Sequence, residues 1–191
     1  NYTGRSNICC SGTISHILLT HTHIDHTAGV PELKRMTGAK TFGFGQHGKP
    51  SAGGDLSFSP DVLIEDGDEI SGNDWSLNSI HTPGHCQTHL CFALDKTDLM
   101  FSGDHVMGWS TTIIPPPDGD LREYMSSLQI LLDRDDERLY PTHGGAVTKP
   151  AAYMKALHDH RLLRTQQIVQ QLEAGPRSVR EIVAVLYSAV A

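Results

Sequence analysis

The stretch His21-Thr22-His23-Ile24-Asp25-His26 restricts this chain more than any other. Three imidazoles and a carboxylate crowd together directly after the apolar run Ile14 to Thr20, which reads as a buried strand. Polar groups at the end of a buried strand cost free energy unless something binds them. Histidine and aspartate are ligands of zinc and its neighbours, and a catalytic site combines such ligands with a position left open for water. In an extended or turning segment His21 and His23 point the same way, while Asp25 and His26 lie beyond the bend and can reach a second ion. One short motif can therefore seed two metal sites. The bland reading, a chance histidine-rich surface loop, gives no reason for the cluster to follow a strand.

The motif resembles the His-x-His-x-Asp-His signature of the metallo-β-lactamase-fold hydrolases. The resemblance implies an α+β fold, an αββα sandwich with a dinuclear metal centre between its sheets, and three further ligands downstream. The matching positions are His85 in Thr82-Pro83-Gly84-His85, Asp104 in Phe101-Ser102-Gly103-Asp104, and His143 in Tyr140-Pro141-Thr142-His143-Gly144. Each follows a β-like run and sits in a glycine-containing turn, where strand ends deliver side chains to a common rim. In the implied arrangement His21, His23 and His85 hold one ion, Asp25, His26 and His143 hold the other, and Asp104 bridges them. The expected ions are two Zn2+ per chain, with iron or manganese as alternatives. Such a pair brings the pKa of a shared water towards roughly 7, so that hydroxide attacks a carbonyl or phosphoryl centre. Asp25 is the candidate catalytic proton shuttle as well as a ligand. Thr20, Thr22, His81 and His105 are available to fix imidazole tautomers, and His105, directly after Asp104, is the best placed of them.

The 191 residues suit a hydrolase domain over 1–148 and a helical extension over 149–191. A net charge of -7 and an aromatic content of 6% offer neither a global basic field nor many stacking platforms, which argues against a dedicated nucleic-acid-binding module. A local patch could still serve RNA. Cys9, Cys10, Cys86 and Cys91 lack the spacing of a disulfide framework, and they read as free thiols in a reducing, cytoplasmic setting. Cys86 adjoins His85 but reads as a small buried residue, because the implied ligand set is complete without it. No run of eighteen apolar residues suggests a membrane span. Asn1 to Gly12 shows no periodicity where the resemblance implies a longer first β-half. The expectation is an N-terminally incomplete sandwich, with self-association into a homo-oligomer as one way to cover its open face.

Further along, Thr27 reads as the N-cap of a helix from Ala28 to Met36 that Gly38 ends, and Lys40 to Phe44 reads as a strand. Gly43 to Pro60 holds five glycines and two prolines and reads as a long loop, either a functional flap bearing His47 as a substrate contact or a plain mobile segment. Val62-Leu63-Ile64, Glu69-Ile70, Trp75 to Ile80, Thr88 to Leu94 and Leu99 to Phe101 read as antiparallel strands joined by tight turns. Trp109 to Gly119, with its triple proline, is a connector or a pocket wall. Asp120 and Glu123 form a capping-box-like start to a helix whose Leu121, Tyr124, Met125, Leu128, Leu131 and Leu132 make a core stripe. Pro150 to Ala174 predicts a long helix broken at Gly175-Pro176, and Ser178 with Glu181 caps a second.

This two-helix tail and the stretch from Phe101 to Asp120 most resemble the branch in which a winged-helix-like domain follows the hydrolase, here truncated. That branch implies cleavage of single-stranded RNA, whereas similarity to glyoxalase II implies thioester hydrolysis. A bridging Asp104 is typical of the glyoxalase II, lactonase and RNase Z-like side of the superfamily; dedicated β-lactamases usually place Cys or Ser there. The expected function is metal-dependent hydrolysis of an ester, thioester, lactam or phosphodiester. The alternatives are an endoribonuclease and a metal-binding remnant without catalysis.

Overall fold

Alternation along short strands decides the layers. In β1 (His16–Leu18) and the two residues around it, Ile17 and Leu19 face one way and Leu18 the other. A computed structural model describes residues 13–45, 53–173 and 175–188; Asn1 to Gly12, with Cys9 and Cys10, and His47 lie outside the described residues. After β1 come α1 (Ile24–Thr27), α2 (Val30–Thr37), β2 (Lys40–Gly43) and β3 (Val62–Leu63), and the three strands form a parallel sheet in the order β1-β2-β3. Five strands make the second sheet in sequence order: β4 (Glu69–Ser71), β5 (Ser76–His81), β6 (Leu90–Leu94), β7 (Leu99–Gly103) and β8 (Arg138–Pro141). Its pairings are antiparallel except for the last, where β8 runs parallel to β7 after the crossover helix α3 (Leu121–Leu132). Helices α4 (Pro150–Glu173) and α5 (Val179–Leu186) complete the chain.

The core fills three layers between these elements. Ile17, Leu19 and Ala39 pack with Val30 and Leu33 of α2. Leu18 and Phe42 of the first sheet meet Ile70, Leu77, Leu90 and Phe92 of the second. On the outer face of the second sheet, Cys91, Met100 and Leu139 pack with Tyr124, Leu128 and Leu131 of α3 and with Met154 and Leu157 of α4. The result is the layered αββα order, each fully buried leucine contributing about 2 kcal/mol of apolar burial. Leu90 N–H donates to the Thr20 carbonyl (2.7 Å), tying the second sheet to the segment that leaves β1.

Several local expectations need correction. Val62-Leu63 does not join the antiparallel run; it pairs parallel with Phe42-Gly43, because alternation marks a strand without naming its partner. Thr27 caps no helix: its hydroxyl donates to Asp55 (2.8 Å), and Gly29 is the N-cap of α2, which starts at Val30. Gly38 does end α2, in the left-handed conformation at φ 70°. Asp120 caps α3 by accepting from the backbone of Arg122 and Glu123, but the reciprocal half of the box is missing, since the Glu123 carboxylate accepts from the Gln87 amide instead (2.6 Å). The box at Ser178 and Glu181 is complete.

The Asp61 carboxylate ties three elements of the first half together. It accepts from Lys34 Nζ of α2 (2.5 and 2.6 Å) and from the backbone and hydroxyl of Thr41 in β2 (both 2.9 Å), just ahead of β3. Lys34, then Thr41, hold its pKa down from the usual 3.8 to about 2. Because the folded-state value is the lower one, this contribution is complete above pH 3.8 and fades as pH falls towards 2. Asp61→Asn should therefore lower stability at neutral pH and flatten the acid-unfolding curve across that interval, as followed by circular dichroism. An unchanged curve would mean that the network adds nothing.

Candidate metal centre

Strand ends bring the seven residues together. His21 and His23 follow β1, Asp25 and His26 ride on α1, His85 lies in the β5–β6 turn, Asp104 follows β7 directly, and His143 follows β8. Glycines make these approaches possible. Gly103 turns the chain at φ 55°, and a Cβ there would fall 2.5 Å from His89 Nε2.

The coordinating atoms form overlapping groups. His21 Nε2 lies 2.9 Å and His85 Nε2 3.0 Å from His23 Nδ1. His143 Nε2 lies 3.2 Å from Asp25 Oδ2, and His26 Nε2 3.6 Å from the same oxygen. Asp104 stands between the groups: Oδ2 is 3.6 Å from His85 Nε2, while Oδ1 is 3.6 Å from His26 Nε2 and 3.5 Å from His143 Nε2. Within each of the triads His21/His23/His85, His21/His26/Asp104 and Asp25/His26/His143, the atoms are close enough to share an ion.

The protonation states favour a cation. Burial, then the neighbouring imidazoles led by His89, holds His21 well below the usual histidine range. Burial also lowers His85, against the pull of the Ile113 carbonyl and Asp104. Burial raises the Asp104 carboxyl, but its attraction to His26 and its bond from Thr142 outweigh that and leave it well below the usual carboxylate range. The ring proton of His85 is located, because Nδ1 donates to the Ile113 carbonyl (2.6 Å). Its Nε2 therefore aims a lone pair at the Asp104 carboxylate. The Nε2 atom of His26 is buried with no hydrogen-bond partner among the described residues. Lone pairs and carboxylate oxygens converging in a partly dry site repel one another, and a divalent cation between them removes the repulsion. The donor set thus fits a metal.

Residues 12–143 match the Metallo-beta-lactamase superfamily. The chain belongs to that superfamily. It is 30% identical over 187 residues to the lactamase-like protein aptB of Emericella nidulans, covering 93% of this chain and 57% of that one. It is 32% identical over 182 residues to the atrochrysone carboxyl ACP thioesterase of Aspergillus chevalieri, covering 91% and 55%. An archaeal metallo-beta-lactamase superfamily protein from Sulfolobus tokodaii has a similar structure, with a TM-score of 0.62 and 26% identity over 78% of this chain and 68% of that one. The chain spans little more than half the length of these fungal relatives.

Around the cluster the supporting groups agree with expectation at one residue and differ at others. Thr20 does bond His21 Nδ1 (3.0 Å). His105 does not touch the cluster: its ring is fully buried against Tyr124 (4.6 Å between centroids), and burial pushes its pKa down to about 3. His81 Nε2 donates to the Gln87 carbonyl (2.7 Å), steadying the turn that carries His85 rather than a ligand ring. The residue missed in the sequence is His89. Its Nε2 accepts from the Asp104 backbone N–H (3.0 Å), so its Nδ1 carries the proton that Thr82 Oγ1 receives (2.8 Å). A lone histidine at the start of a strand gives no hint of this. Cys86 is buried beside Thr88 (3.9 Å) with its thiol pushed up to about 12 by burial, a small packed residue as expected.

The segment after Asp104 is a wall. A cleft of about 440 Å³ has His23, Asp25, His85, Asp104 and His143 at its base and Met107, Trp109, Ile113 and Pro115 along its side. Trp109 and Ile113 are strongly exposed. A larger hollow of about 830 Å³ lies between the β7–β8 edge and the start of α4, and it contains none of the seven residues.

Proposed function

We propose that this chain is a dinuclear metal-dependent hydrolase acting on a thioester. The observation that carries the reading is the division of Asp104 between two histidine groups, one carboxylate oxygen towards each. In this reading His21, His23 and His85 hold one divalent ion, and Asp25, His26 and His143 the other. Ions bound there supply Lewis acidity and a water whose pKa falls to about 7. Asp25, its carboxylate 60% exposed at the cleft and 3.2 Å from His143, takes up and hands on the proton that the attacking water gives up. Ile113 holds the His85 ring in one tautomer through Nδ1, and Thr142 and His89 fix the Asp104 side chain and backbone.

The thioester is favoured over other acyl or phosphoryl substrates by two observations. A relative carries the name of an acyl carrier protein thioesterase, and the exposed wall of Trp109 and Ile113 offers an apolar surface to an acyl group. No lysine or arginine lines the cleft among the described residues, which disfavours a phosphodiester backbone. The donor set suits zinc and also accepts iron or manganese.

The test combines elemental analysis with a substrate panel. The protein, reconstituted separately with zinc, iron and manganese, is expected to hold about two ions per chain and to release thiol from acyl thioesters, with little dependence on salt. Two bound ions with no turnover of thioester, ester, lactam or oligonucleotide would mark a metal-binding remnant. Salt-sensitive cleavage of single-stranded RNA in place of thiol release would move the substrate to the phosphodiester class.

A further inference from the structure

We infer that helix α4 positions the metal ligands through Arg161, acting on the cleft wall; the inference rests on the reading of Asp104 and His85 as ligands. Arg161 Nη2 donates to the carbonyl of Thr112. The Thr112 hydroxyl in turn donates to the Asp104 carbonyl, with a second acceptor at the His105 carbonyl (3.2 Å). The next residue, Ile113, takes the His85 Nδ1 proton at 2.6 Å. Two adjacent wall residues therefore connect one guanidinium to one ligand backbone and one ligand ring.

Arg161 is itself held in place. It lies over the face of the fully buried Tyr124, 5.5 Å from the ring centroid, so its guanidinium has a fixed seat as well as an acceptor. Met154 and Leu157, on the same side of α4, anchor the helix in the core with α3. Tyr153 gives a second tether to the same wall, its hydroxyl donating to the Met107 carbonyl (2.9 Å). The wall segment is thus tied to α4 at Met107 and at Thr112, and the second tie lies at the two residues that contact Asp104 and His85. Groups that orient metal ligands from behind typically alter metal affinity about 10- to 100-fold when lost.

Arg161→Met keeps most of the apolar stem and removes the donors, and Arg161→Lys restores one charged donor. Leu157→Ala loosens α4 in the core and leaves the hydrogen-bonding groups of Arg161 and Tyr153 in place. For each variant, metal release to an excess of chelator and thermal unfolding are measured side by side. Arg161→Met is expected to release its metal on the order of ten-fold faster. Arg161→Lys should fall in between, and Leu157→Ala should melt earlier while its release rate stays near that of the parent. Equal release from Arg161→Met and the parent, or acceleration that tracks melting temperature across all three, would show that Arg161 only holds the helix. A parent that binds no metal would overturn both this role and the proposed function, whereas a metal-loaded parent with an unaffected Arg161→Met variant would overturn this role alone.

Discussion

Asp104→Ala should lower turnover by on the order of 10²–10³-fold or more and reduce metal content to about one ion per chain. The carboxylate faces three imidazole nitrogens at 3.5–3.6 Å, and its two oxygens serve different groups. Its effect on stability should be largest with the metal bound. In zinc the variant should melt well below the parent, because less binding free energy reaches the folded state. In chelator the gap should narrow without reversing, since the parent then loses the metal's contribution but keeps the bond from Thr142 and the attraction to His26 that hold the carboxyl low. Elemental analysis and melting curves with and without chelator test both statements. A variant that keeps two ions would remove Asp104 from the role of shared ligand, and one destabilised equally in both conditions would make it a structural residue alone.

Gly84→Ala should be strongly destabilising, costing on the order of 4 kcal/mol or more. Gly84 stands at φ 136°, where an L side chain is strained, and its added Cβ would lie 2.3 Å from Tyr124 Cα, 2.4 Å from Tyr124 N and 2.5 Å from Tyr124 Cβ. Backbone cannot swing aside as a flexible side chain would. The start of α3 would have to move, and with it the packing of Tyr124, Leu128 and Leu131 on the second sheet. The turn that presents His85 would be displaced as well, so metal affinity should fall with stability. Gly145→Ala is the matched control, because nothing lies within 4 Å of its Cβ and its φ is not positive. A melting temperature lowered by more than about 10 °C at Gly84, against a change of a few degrees at Gly145, is the expected contrast. Similar melting of the two variants would show that the turn relaxes freely.

The His/Asp cluster was legible because metal chemistry selects residue types rarely placed together at strand ends, and because each candidate sits beside its strand. Nothing in the sequence marks His89, whose importance comes from contact with the Asp104 backbone across two strands. His105 drew attention through adjacency to Asp104, yet a neighbour in sequence points to the other side of the chain, and its ring ended against Tyr124. The same limit applies to β3. Its pattern showed a strand, and the choice between sheets was made by pairing with β2. Thr27 and Glu123 were good local caps that found better partners in Asp55 and Gln87, distant in sequence. Helix α4 was visible as a helix, but its hold on the wall through Arg161 and Tyr153 depends on contacts that no periodicity encodes.

The seven candidate ligands are spaced unevenly along the chain, with a consequence for biosynthesis if they hold metal. Four of the seven precede residue 27, whereas His85, Asp104 and His143 arrive with the second sheet, the last only after β8. During synthesis from the N-terminus, the His21/His23/His85 group is complete well before His143 emerges, so under the proposed assignment one ion would be captured while the other site still lacked a ligand. Filling in that order would clasp the first sheet to the β5–β6 hairpin before β8 closes the edge. The second ion would then act as a late latch, seated only in a chain whose last strand has found its parallel partner.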